Sequence, residues 1–66
     1  MMAEDRLAMA ERHVQEGRRT VARQRELVAR RRKLGADIEE SERLLQNFEN
    51  SLAIFEADLR WIKQGR

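Results

Sequence analysis

Lys33-Leu34-Gly35-Ala36-Asp37-Ile38-Glu39-Glu40 is the stretch that decides the fold. Gly35 suits the left-handed position just past a helix end, because it has no Cβ to clash there. Asp37 can accept a hydrogen bond from a free backbone N–H as N-cap of a following helix, and Glu40, three residues on, completes a capping-box-like pattern. Arg30, Arg31, Arg32 and Lys33 come before the glycine; Asp37, Glu39, Glu40 and Glu42 come after it. Cations at a helix C-terminus and anions at the next N-terminus both oppose the partial charges of the helix ends. One helix should therefore stop here, and a second should start within a few residues.

On both sides of this break the apolar residues keep a seven-residue period. Leu7, Val14, Val21 and Val28 form one row, with Ala10, Gly17, Gln24 and Arg31 three residues on. After the break, Ile38, Leu45, Leu52 and Leu59 form a row, with Ser41, Phe48, Phe55 and Ile62 as its companion. These are the a and d positions of heptads, the pattern of left-handed helix packing, and strand-like alternation is nowhere sustained. The spacing predicts a first helix over about residues 3–33, a turn over about 34–37 and a second helix over about 38–63. So short a turn makes the helices antiparallel neighbours.

Charge tests that arrangement independently. The e row of the first helix is Glu11, Arg18, Arg25 and Arg32; that of the second is Glu42, Glu49, Glu56 and Lys63. Folding at the glycine pairs Arg32 with Glu42, Arg25 with Glu49, Arg18 with Glu56 and Glu11 with Lys63, all opposite in sign. A slip of one heptad sets Glu11 against Glu56. Exposed pairs contribute about 0–1 kcal/mol each, so the row selects register more than it stabilises. In the core, Ala10, Gly17 and Gln24 come near Ile62, Phe55 and Phe48, small against large, and close approach of Phe55 would account for a glycine inside a helix.

Composition narrows the function. The chain has 66 residues, 39% of them charged, three Gly, no Pro and no Cys, with a formal charge of +2. One small domain is all that length holds. The lack of Cys removes disulfides, thiol nucleophiles and thiolate metal sites. No apolar run reaches the roughly 18 residues of a membrane span, and no signal-peptide core is present, so a cytoplasmic protein without membrane attachment is expected. The lone His13 falls near Asp58 in the folded register. Catalysis would also need a nucleophile within reach, and the nearest hydroxyls, Thr20 and Ser51, lie at least a turn away. An edge contact is the expected role, with no catalytic residue, cofactor or metal site.

Two surfaces remain. The first is an apolar flank on the g and c rows: Met9, Leu27 and Leu34 on the first helix, Leu44, Ile54 and Trp61 on the second. The g rows face each other in an antiparallel pair, so one edge of the hairpin is charged and the other largely apolar. A two-helix ribbon cannot hide these side chains, and such a patch marks association. The second surface is basic. Through Lys33 the chain has ten basic and five acidic residues; the remainder has four and seven. Arg19, Arg23, Arg30, Arg31 and Lys33 are candidates for phosphate contact, although no aromatic residue lies among them to stack on bases.

Glu11-Arg12-His13-Val14, Glu16-Gly17, Val21-Ala22-Arg23-Gln24-Arg25 with Leu27-Val28, then Gly35, Leu44-Leu45, Phe48-Glu49 and Leu52 together resemble a group of short uncharacterised bacterial proteins. The resemblance spans about residues 10–60 and implies a helical hairpin without implying an activity. That group often carries His-Asp-Thr after the turn glycine. Here the residues are Ala36-Asp37-Ile38, which leaves capping of the second helix to Asp37. In architecture alone the chain also resembles the ROP-type RNA-binding dimer of hairpins, with no shared motif.

The reading is thus an all-α, antiparallel, coiled-coil-like hairpin that dimerises into a four-helix bundle. Its expected function is non-enzymatic protein interaction, with a second copy or a helical partner protein. The alternative is a small nucleic-acid-binding protein that uses the arginine-rich face of the first helix.

Overall fold

The computed structural model describes residues 5–65, and it is a hairpin of two helices, α1 (Arg6–Lys33) and α2 (Glu39–Lys63). Residues 1–4, where the first helix was expected to begin, lie outside the described part. The helix itself starts at Arg6, because Asp5 is its N-cap: Asp5 is extended, and its Oδ1 accepts the Ala8 N–H at 2.7 Å. Such a cap is worth about 1 kcal/mol.

The turn forms where the sequence places it. Leu34 closes α1, Gly35 adopts φ 73°, and two backbone bonds tie the exit: Ala36 N–H to the Arg31 carbonyl and Gly35 N–H to the Arg32 carbonyl. This is the paired-bond arrangement that a left-handed glycine permits. Entry into α2 differs from the expectation. Ile38 occupies the N-cap position and has no side-chain acceptor to offer. Asp37 acts from one residue further out, its Oδ1 accepting the Glu39 N–H at 3.0 Å. Glu40 makes no return bond, and α2 starts at Glu39 rather than at residue 38.

The register is the one the e rows prescribe. Arg18 meets Glu56 at 3.2 Å, Arg25 meets Glu49 at 2.8 Å and Arg32 meets Glu42 at 2.6 Å. The fourth pair does not form, since Glu11 and Lys63 lie more than an ion-pair distance apart at the open end of the hairpin. Leu7 is left 40% exposed for a related reason. Helix α2 stops at Lys63, with Gly65 at φ 76°, before it can supply a layer opposite Leu7.

The core is one-sided. Ala10, Val14, Val21, Val28 and Gln24 of α1 are buried, whereas no residue of α2 is. Small side chains on α1 let the larger ones of α2 lie across them, and a ribbon one helix thick leaves the outer edges of those large groups in water. Gly17 sits at the closest approach: a Cβ there would lie 3.1 Å from Leu52 Cδ1 and 3.7 Å from Phe55 Cδ2. Leu52 therefore crowds the glycine more than Phe55 does. Gln24 is the buried polar member, and its Nε2 donates to the Ser41 carbonyl at 2.9 Å. This bond satisfies a group whose burial unpaired would cost about 1–3 kcal/mol.

Candidate association surface

The two long edges of the hairpin differ in chemistry because the e and g rows differ in sequence. The e edge is closed by the three Arg–Glu pairs, whose arginine side chains remain mostly in solvent. The g edge has no such bridges and opens into two grooves. One, of about 250 Å³, has the bare backbone of Gly17 as floor and His13, Thr20, Phe48, Ser51 and Phe55 as walls. The other, of about 370 Å³, lies toward the turn between Gln24, Leu27, Arg31, Asp37, Glu40 and Leu44. A cavity of roughly 150 Å³ takes a benzene ring, so the first groove has room for a large apolar side chain.

Of the candidate flank, Leu27 and Leu44 line the second groove. Met9 (41%), Leu44 (42%), Trp61 (48%), Ile54 (67%) and Leu34 (83%) are exposed, while Leu27 is half-buried between the helices. Leu34 sits at the turn, as the residue that closes α1, and not on a helix face. Trp61 reaches across the g edge, where the Arg6 guanidinium lies 5.6 Å from its ring centre. That contact is worth about 0.5–1 kcal/mol at an exposed site and fixes the indole on this side.

His13 belongs to the groove wall. Its ring lies 5.1 Å from the Phe55 ring, tilted by 39°, and it bonds to no carboxylate, Asp58 included. The imidazole thus packs on the aromatic wall of the groove, whose lining also includes the hydroxyl residues Thr20 and Ser51. Among the described residues, no group of three His, Asp or Glu side chains could hold a metal ion, and no helix is long and apolar enough to cross a membrane.

The basic residues divide into two sets. Arg18, Arg25 and Arg32 are held in the e-edge pairs. Arg19, Arg23, Arg30, Arg31 and Lys33 are exposed, and none of them forms an ion pair. Glu26, also exposed, interrupts this basic face.

Phe48, Leu52 and Phe55 line the first groove, which heptad reasoning did not anticipate. That reasoning counted them as core. Their half-exposed state follows from there being only two helices to cover an a/d stripe that a bundle would enclose from both sides.

Comparison with protein-family models, with curated proteins and with solved structures yields no match.

Proposed function

We propose that this hairpin is a non-enzymatic interaction module that self-associates through its g edge, two copies forming a four-helix bundle with coiled-coil-like packing. The observation that carries the reading is the complete lack of buried residues on α2, although that helix bears Leu45, Phe48, Leu52, Phe55, Leu59 and Ile62 on its inner rows. Those side chains are half-exposed in a single hairpin. Full burial of such a side chain is worth about 1.5–3 kcal/mol relative to full exposure, and the part of each still uncovered, roughly half of that, is the driving force for a second layer of helices. The ribbon face measures 47 × 26 Å, more than the roughly 800 Å² per partner that a standard stable interface buries. The same reading takes the protein to act in the cytoplasm. It also counts the chain with the group of short bacterial hairpins that its sequence resembles.

Sedimentation at micromolar concentration tests the proposal. A dimer mass is expected. Trp61→Ser should keep the hairpin helical and weaken dimerisation at least tenfold, because it removes an exposed anchor from the g edge. A monomer with a sharp thermal transition, or a Trp61→Ser dimer of unchanged affinity, overturns the proposal. A monomer that gains mass only when mixed with a different helical protein assigns the edge to that partner instead.

The ion-pair-free state of Arg19, Arg23, Arg30, Arg31 and Lys33 favours a second reading, in which these residues contact the phosphates of a nucleic-acid duplex. Titration with duplex RNA and DNA between about 50 and 200 mM salt tests it. Binding should weaken steeply with salt, and Arg23→Glu with Arg30→Glu should reduce both affinity and slope. Absence of binding at the low-salt end removes this reading.

A further inference from the structure

We propose that the second copy docks with its turn at the same end as the first, so that α1 of each protomer lies over α2 of the other. This inference rests on the self-association reading and adds the direction of the partner. The structure supplies the basis in the g rows. Along the open edge, successive levels hold His13 and Asp58, then Thr20 and Ser51, then Leu27 and Leu44. Thr20 and Ser51 share the walls of one groove, and Leu27 and Leu44 share those of the other. The ion pairs of the opposite edge fix His13 and Asp58 as the next level toward the open end. Each level is therefore chemically matched within one hairpin: ionisable, hydroxyl, aliphatic.

A twofold axis parallel to the helices duplicates every level at its own height. Four leucines then form one layer, four hydroxyl side chains the next, and two histidines with two aspartates the outermost. Arg30 of one copy comes beside the acidic start of α2 in the other, near its Glu40, and Met9 comes beside the second Trp61. A twofold axis perpendicular to the helices gives the alternative, with turns at opposite ends. That arrangement lays Leu27 and Leu44 over His13 and Asp58 and sets Trp61 over Glu40. It strands ionisable groups against aliphatic ones in a closing interface, and burial of such groups without partners is costly. Registry set by polar layers and by charge at the flanks is the usual way bundles choose one orientation.

The chain has no cysteine among its 66 residues, so single reporters can be introduced at Ala36→Cys and, separately, at Gln64→Cys. Both positions are exposed and lie outside the helices. Each variant carries one spin label, and pulsed dipolar spectroscopy reads the distance between copies at a concentration where sedimentation shows the dimer. The expected separation at both sites is about 20–30 Å, two to three helix diameters. A dimer with both separations near the full 47 Å length of the hairpin overturns the orientation and leaves self-association standing. A monomer mass with no dipolar signal overturns self-association and the orientation with it.

Discussion

The two edges of this hairpin solve opposite problems. On the e edge, three arginines reach across to three glutamates, and the arginine side chains remain largely in water. On the g edge, Phe48, Leu52 and Phe55 stand half-covered around one groove, and Leu27 and Leu44 line the other among polar and charged groups. The first edge contributes little energy and fixes which residue lies opposite which. The second leaves apolar surface unspent, available for association. One helix pair thus separates register from driving force and assigns each to a different side of the same seam.

Substitutions on the seam and at the two edges should separate these roles. The largest effect is expected from the seam. Gly17→Leu forces a branched side chain into space where even a Cβ meets Leu52 Cδ1 at 3.1 Å. The hairpin should lose about 3 kcal/mol, an overpacking cost, and its melting temperature by circular dichroism should fall by roughly 10–20 °C. A smaller loss is expected from the closed edge. Arg25→Glu sets two carboxylates opposite each other and should cost about 1 kcal/mol at low salt, with part of the loss recovered in high salt. A salt-independent loss would mean that the e edge contributes by packing. The smallest effect is expected at Gln24→Leu. The substitution removes one hydrogen bond but adds apolar volume, and the Ser41 carbonyl keeps its place in the α2 ladder. Chemical denaturation should place this variant within about 1 kcal/mol of the parent.

Much of the architecture was legible in the sequence because its signals agreed. The valine row of α1, the Leu/Phe rows of α2 and the glycine between them all specify one hairpin. Three of the four e-row pairs then form as the charges dictate. What escaped notice depends on three-dimensional detail. Asp37 caps α2 from outside its N-cap because the chain needs one more residue, Ile38, to complete the turn. His13 packs on the Phe55 ring and makes no bond with Asp58, a contact that heptad positions alone do not reveal. Glu11 and Lys63 stay apart where the helices run out. For the candidate surface, the heptad pattern marked g and c positions that are exposed or half-buried in the hairpin, but it could not show how much of the inner rows a lone partner helix leaves uncovered.

The thickness of the ribbon has a further consequence. At 13 Å through its thinnest dimension, the molecule holds no atom more than about a helix radius from bulk solvent. Deuterium uptake should thus be slowest along the Val14–Val28 stripe and comparatively fast throughout α2. A partner that covers the g edge would add protection to both helices, since both grooves are lined by α1 and α2 together, a readout that needs no label.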